Sequence, residues 1–187
     1  MRGVVPPRRP MTPAAQIRLA HADDARSLAR FAAQAFTDTY RDLDNAQDIA
    51  DYCAEHFQPG VLADVLGDPA CTTFLAHVAG QLAGYAIVRD KQPPPCVSGP
   101  AVQLWRLYLD QRFIGQRLGA RLLQQAQAEA RRRGATTLWL GVYDRNVRAI
   151  EFYRRFGFTQ VGVSEFLFGG VLYADPVYAA PVPPAAA

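Results

Sequence analysis

The sequence predicts a mixed α/β domain with a single twisted sheet of about seven strands flanked by helices. In the second half of the chain, strand-like and helix-like segments alternate, which is typical of a parallel pair joined by helical crossovers. In the first half, two strand-like segments flank a short turn and predict an antiparallel hairpin. The chain has 187 residues and half of them are hydrophobic, so a domain of this length can bury a core without disulfides or a metal.

Residues 16–90 predict one strand, three helices and the hairpin. The first helix is indicated by Leu28, Phe31 and Ala35, which recur at three- and four-residue spacing. The proline-rich segment 91–100 after the hairpin excludes a position inside a sheet. The predicted elements are a strand at 16–20, a helix from Asp23 or Asp24 through Phe36, helices near 46–57 and 60–66, and strands at 72–78 and 81–89 that meet at Ala79-Gly80.

Residues 101–178 predict the alternating part of the fold. A glycine-bearing loop follows the first strand, Gly157 ends the second helix, and a Gly169-Gly170 turn separates the last two strands. The predicted elements are strands at 102–109, 136–143, 158–168 and 171–178, a helix from about 118 to 133, and a helix from Asn146 through Phe156.

We expect one domain over residues 16–178 with disordered tails at 1–15 and 179–187, because both ends are rich in proline or alanine and lack a packing pattern. The composition leaves open whether Met1 or Met11 is the native start. The three cysteines are widely spaced, so we expect neither a disulfide framework nor a metal site. No apolar run approaches the length of a membrane span, and the basic N-terminal start is not followed by the apolar stretch that a signal peptide needs. We therefore expect a cytoplasmic protein without a membrane partner.

The formal charge of +3 is unevenly distributed along the chain. Residues 19–75 contain ten acidic side chains and three arginines, whereas residues 106–155 contain eleven arginines and four acidic side chains. The first segment suits a cationic partner and the second an anionic one, although solvated helix faces explain both equally well. A nucleic-acid partner is not favoured, because the arginines at 131–133 end a helix, where the helix dipole attracts cations.

The loop after the strand at 102–109 has the features of a phosphate site. Gly115 and Gly119 bracket it, and the free N–H groups of a helix N-terminus attract anions; a plain turn is the alternative. The order of strand, glycine loop and helix resembles motif A of the Gcn5-related N-acetyltransferase (GNAT) superfamily, which binds acetyl-CoA. In the family pattern, Ile114 stands at a glutamine or arginine position and Arg117 at a glycine position. Arg117 can still offer its N–H and side chain to a phosphate, but we expect that its backbone cannot adopt the conformations that glycine allows.

Residues 146–158 resemble motif B of the same superfamily. The resemblance implies that Asn146 caps the helix and offers its amide to the pantetheine arm, while Ala149 leaves room for that arm. It also implies that Tyr153 donates a proton to the leaving CoA thiolate; without the motif, Tyr153 would be interpreted as a packing aromatic. The residues that carry the resemblance are Asn146, Ala149, Phe152, Tyr153, Gly157 and Phe158.

Together the two motifs imply a GNAT fold and an acetyl-CoA-dependent N-acetyltransferase that acts on a primary amine of a small molecule. A backbone N–H near Leu109 would meet the acetyl carbonyl, and Tyr153 is the predicted catalytic residue. No metal is implied. The residues predicted to bind the cofactor are Leu107, Tyr108, Leu109, Gly115, Gln116, Arg117, Leu118, Gly119, Ala120, Asn146, Ala149 and Tyr153.

The general base is not evident from the motifs. Many relatives place a glutamate on the strand before the loop, where this chain has Gln103 and Trp105. Neither side chain accepts a proton at neutral pH. The substitutes left open are Asp38, Tyr85 and Glu165.

Residues 36–40, the loop at 91–100 and residues 139–153 resemble the bacterial polyamine acetyltransferase (PaiA-like) subgroup. This resemblance implies spermidine or spermine as the acceptor, which the acidic segment 19–75 suits. Two alternatives stay open. One is an acetyltransferase acting on a protein or peptide amine, and the other is a non-catalytic CoA-binding module, which the departures from the family pattern would favour. A homodimer is also left open.

Overall fold

The computed structural model of the chain describes residues 15–183. Most of the predicted N-terminal tail, both candidate start residues and the last four residues lie outside this range. The strands are β1 (Gln16–Leu19), β2 (Cys71–Val78), β3 (Gln81–Arg89), β4 (Ala101–Leu109), β5 (Thr137–Gly141), β6 (Thr159–Phe168) and β7 (Val171–Pro181). The helices are α1 (Ala25–Tyr40), α2 (Ala46–His56), α3 (Pro59–Gly67), α4 (Leu118–Arg132) and α5 (Val147–Arg155), with short 3-10 turns at Ala22–Asp24 and Gln111–Phe113.

The strands form one mixed sheet in the order β1-β2-β3-β4-β5-β7-β6. Strands β4 and β5 run parallel, and the other neighbouring pairs are antiparallel. Helix α4 connects the parallel pair, as the alternating pattern predicted. The predicted fold class, the hairpin β2–β3 and the parallel pair are therefore confirmed.

The last strand continues beyond its predicted end. β7 reaches Pro181, so the predicted tail at 179–187 is wrong at its start. Because β7 lies between β5 and β6, its backbone at Ala179 pairs with Trp139 on one side and with Thr159 on the other. Small side chains fit this central position, and an alanine-rich sequence without a visible strand pattern is therefore part of the sheet.

Each face of the sheet carries its own hydrophobic core. On one face, α4 buries Leu118, Leu122 and Ala126, which recur at four-residue spacing, against β3 and β4. On the other face lie α1, α2 and α3. Helix α1 continues one turn past its predicted end because Tyr40 still packs on Phe36, with ring centroids 4.5 Å apart. Within residues 15–183, no helix combines the length and hydropathy needed to cross a membrane.

A buried ion-pair network joins the end of α4 to β2. Glu129 is 6% exposed and accepts hydrogen bonds from Arg133 and Thr72 at 2.7 and 2.8 Å. The Arg133 guanidinium also lies 3.0 Å from a carboxylate oxygen of Asp90. Burial would raise the pKa of Glu129, but hydrogen bonds from Arg132, Arg133 and Thr72 lower it to about 2. Arg133 therefore pairs with groups inside the protein and is not part of a basic surface patch.

Replacing Glu129 with glutamine should lower the free energy of unfolding at neutral pH by about 3 kcal/mol, because Arg133 then loses a buried counter-charge. The lowered pKa means that the carboxylate stabilises the folded protein above about pH 4 and that this contribution is lost as the pH falls toward about 2. Urea denaturation should show the difference at neutral pH and a smaller one near pH 3. The exposed partner is the control, because Arg132→Gln should cost less than about 1 kcal/mol. Equal losses in the two variants would contradict the buried role.

Candidate active site

Strands β4 and β5 separate in the middle of the sheet. Their parallel ladder covers only Ala101–Gln103 of β4 and Thr137–Trp139 of β5, although β4 continues to Leu109. The rest of β4 pairs with β3 alone, so its other edge presents free N–H and C=O groups. An extended chain with amide groups can bind to such an edge as an added strand.

The loop after β4 contains two residues in the left-handed conformation. Asp110 accepts a hydrogen bond from the N–H of Arg112 and begins the 3-10 turn. Gly115 then has φ +83° and Arg117 has φ +61°. The expectation for Arg117 is therefore wrong, since it does adopt a conformation that glycine favours. The chain must turn into α4 at this point, and the tertiary structure imposes a conformation that costs a side chain about 1–2 kcal/mol.

The N-terminus of α4 has free backbone donors. Among the described residues, no side chain caps this helix, and its first internal hydrogen bond runs from the N–H of Arg121 to the C=O of Arg117. The N–H groups of Leu118, Gly119 and Ala120 therefore have no partner within the helix, and these residues line a cavity. With the helix dipole they form a site that suits a phosphate.

Replacing Arg117 with glycine should raise the free energy of unfolding by up to about 1 kcal/mol, because glycine adopts a positive φ without strain. The larger unfolded-state entropy of glycine offsets part of this gain. Gln116→Gly is the matched control, since Gln116 precedes Arg117 and its φ is not positive. In thermal unfolding, Arg117→Gly should have a higher melting temperature than Gln116→Gly. The reverse order would show that the backbone at 117 is not strained.

Helix α5 presents three residues of the predicted site to the same cavity. Oδ1 of Asn146 accepts a hydrogen bond from the N–H of Ala149 at 3.1 Å, so Asn146 caps the helix as predicted. Tyr153 is buried, and its ring centroid lies 5.2 Å from that of Phe152 and 5.5 Å from that of Phe158. Burial raises the pKa of Tyr153, so its hydroxyl stays protonated at neutral pH and can act as a donor.

The cavity has a volume of about 720 Å³ and joins the loop, the gap beside β4 and α5. Eleven of the twelve residues predicted to bind the cofactor line it, and their role in binding stays a prediction. Gln116 is the exception, because its side-chain amide donates to the backbone C=O of Arg112 at 3.0 Å instead. Four further residues line this end and were not among the predicted binding residues: Arg148, Phe152, Arg155 and Phe156.

Acidic and aromatic side chains from the α1–α2 loop, β6 and β7 line the other end of the cavity. The hydroxyl of Tyr143 donates to Oδ1 of Asp44 at 3.0 Å. Asp175 on β7 is 9% exposed, and burial raises its pKa to about 6, with Asp144 and Asp44 adding to the effect. Of the acidic residues in 19–75, only Asp44 lines this cavity, so that segment contributes less to the site than its charge suggested.

The three candidates for the general base lie in different places. Glu165 on β6 is exposed and lines the cavity. Asp38 forms an ion pair with Arg41, Tyr85 is fully buried in the core, and neither lines the cavity. Asp175 was not among the candidates, yet it is the buried carboxylate of the cavity. Its signal in the sequence was a single acid in an otherwise apolar strand.

Residues 29–158 match a family model described as the acetyltransferase (GNAT) family. The chain is 31% identical over 147 residues to an uncharacterized N-acetyltransferase of Mycobacterium bovis, covering 78% of this chain and 90% of that protein. It is 28% identical over 138 residues to another from Lactobacillus delbrueckii subsp. lactis, covering 73% and 79%. Among solved structures, the PaiA N-acetyltransferase from Thermoplasma acidophilum in complex with coenzyme A has a TM-score of 0.73 at 19% identity, covering 90% of this chain and 99% of that chain.

Proposed function

The chain belongs to the acetyltransferase (GNAT) family, and we propose that it transfers the acetyl group of acetyl-CoA to a primary amine of a small molecule. One observation carries this proposal. The glycine loop, the free edge of β4 and Tyr153 all open into the same cavity as the buried carboxylate of Asp175. A donor that enters from the loop and an amine that enters from the acidic end would therefore meet beside Tyr153.

The loop end suits the donor. Acetyl-CoA supplies an activated thioester at the end of an amide-containing arm, and the free edge of β4 offers N–H and C=O groups to that arm. The N–H groups at the start of α4 suit its phosphates. Arg117, Arg148 and Arg155 line the cavity at this end, so the basic segment of the sequence contributes charge where phosphates would lie.

The acidic end suits the amine. In acetyl transfer, the bond between nitrogen and the carbonyl carbon forms, the carbon–sulfur bond breaks, and the ammonium group must lose protons before and during the attack. Asp175 is the proposed base, because a carboxylate with a pKa of about 6 is mostly ionised at neutral pH and still accepts a proton. Tyr153 is the proposed acid for the leaving thiolate, and a free N–H of β4 would stabilise the charge that develops on the carbonyl oxygen.

Spermidine and spermine are the acceptors that the PaiA-like resemblance implies. Asp44 and Asp175 support one ammonium group at the acidic end. Glu165 also lines the cavity but is exposed, whereas Arg89 and Arg106 line the wall toward α1 and α2, and their positive charges would repel a second ammonium group there. Polyamines are therefore one of several classes of amine that we would assay as acceptors.

The test is the release of free CoA from acetyl-CoA by the purified protein with a panel of polyamines, monoamines, amino acids and peptides. We expect release above the hydrolysis background with at least one small amine. Release with peptides alone would favour the peptide-amine alternative. Calorimetric binding of acetyl-CoA without release for any amine would favour a non-catalytic module, and the absence of binding would overturn both functions.

A further inference from the structure

Two arginines lie on the wall of the cavity that faces α1 and α2. The guanidinium carbons of Arg89 and Arg106 lie 3.7 and 4.7 Å from the ring centroid of Trp105, so two cations contact one aromatic ring. A bulge in β4 at Trp105 places the ring and Arg106 on the same side of the sheet. All three residues line the cavity, and Arg106 is only 7% exposed.

Within residues 15–183, neither arginine has a carboxylate partner within 4.0 Å. Arg89 donates to Oε1 of Gln103 at 2.7 Å, and Arg106 donates to the hydroxyl of Tyr52 at 3.4 Å. Both partners are neutral, and each guanidinium has five N–H donors. Two neighbouring cations are therefore partly buried without a counter-charge, an arrangement that a bound anion would stabilise.

The phosphates of the donor are not that anion. Arg89 lies opposite Gln103 in the ladder between β3 and β4, about 20 Å along the strand from Leu109, where the glycine loop begins, and Arg106 lies about 10 Å from Leu109. The arginines also belong to the face packed by α1 and α2, whereas α4, whose N-terminus offers the phosphate site, covers the opposite face. The arginine pair and the phosphate site are therefore separate.

We propose that Arg89 and Arg106 bind an anionic group of the acceptor, so that the acceptor is a primary amine that also carries a carboxylate or a phosphate. This inference rests on the proposed function. Guanidinium groups pair with both oxyanions through two parallel hydrogen bonds. The same cavity then holds the ammonium group near Asp44 and Asp175 and the oxyanion near the arginines, and this polarity orients the acceptor toward Tyr153.

The first experiment compares three acceptors with a four-carbon chain, which are γ-aminobutyrate, n-butylamine and putrescine. A second set repeats the comparison with β-alanine and the corresponding three-carbon monoamine and diamine. We expect kcat/KM for the amino acid to exceed that for the monoamine by at least about tenfold, the effect of one charge-assisted pair, and putrescine to be the poorest. Phosphoethanolamine against ethylamine distinguishes phosphate from carboxylate. A diamine that equals or exceeds the amino acid overturns this inference and leaves the proposed function standing. No acetylation of any amine overturns the proposed function itself, and this inference with it.

The second experiment uses variants of the less buried arginine. Arg89→Gln should raise KM for γ-aminobutyrate by about tenfold, with little change in kcat and none in KM for n-butylamine. Arg89→Glu should reverse the preference toward putrescine. Arg131→Gln, which removes a surface arginine on α4 outside the cavity, is the control for net charge. An equal rise in KM for the amino acid and the monoamine would show that Arg89 only supports the wall, and would contradict the proposal.

Discussion

Replacing Tyr153 with phenylalanine should lower kcat for acetyl transfer by about 100-fold, the loss typical of a missing general acid, and leave the dissociation constant of acetyl-CoA nearly unchanged. Burial raises the pKa of Tyr153, so its hydroxyl is protonated when the thiolate leaves. The phenylalanine ring can still pack between Phe152 and Phe158, and thermal unfolding should confirm that the fold is kept.

The matched control for Tyr153 is Tyr178 on β7. Its hydroxyl accepts a hydrogen bond from Arg154 at 3.1 Å, and it does not line the cavity. Tyr178→Phe should therefore keep its turnover. An acetyl thioester of a more acidic thiol has a leaving group that needs less help from a proton donor. With such a donor, the difference in kcat between Tyr153→Phe and the wild type should become smaller. Unchanged turnover in Tyr153→Phe, or equal losses in the two variants, would remove Tyr153 from this role.

The donor end of the site could be predicted from the sequence because its parts are close together in the chain. Strand, loop and helix follow one another from Leu107 to Ala120, and the spacing from Asn146 to Tyr153 places their side chains on one face of α5. Local spacing could not predict the backbone of Arg117, because the turn into α4 overrides the preference of its side chain.

The acceptor end could not be predicted in the same way. Asp44, Arg106 and Asp175 come from a helix connection, a central strand and the penultimate position in the sheet order. The order β4-β5-β7 brings the strands of Arg106 and Asp175 to one cavity, and the α1–α2 connection adds Asp44 to it. No short spacing in the sequence encodes this arrangement. For the same reason the charge of residues 19–75 did not predict the acceptor site, because only one of the ten acidic residues in this segment, Asp44, lines the cavity.

Replacing Asp175 with asparagine should lower kcat/KM at neutral pH by about 100-fold and at the same time stabilise the protein. Burial raises the pKa of Asp175 to about 6, so the folded protein binds this proton more tightly than the unfolded chain does. The free energy of unfolding of the wild type therefore falls as the pH rises from about 4 to about 6. Asparagine carries no charge, so the melting temperature of the variant should exceed that of the wild type at neutral pH and match it near pH 4.

The pH profile separates a base from a structural carboxylate. In the wild type, kcat/KM should fall as the pH drops below about 6, where Asp175 becomes protonated. After burial, the charge of Asp144 is the next cause of the raised pKa, so Asp144→Asn should move this decline to lower pH and keep the activity at neutral pH. In Asp175→Asn the decline should disappear. If that variant is less stable than the wild type and keeps the decline, Asp175 is structural and Glu165 becomes the candidate base.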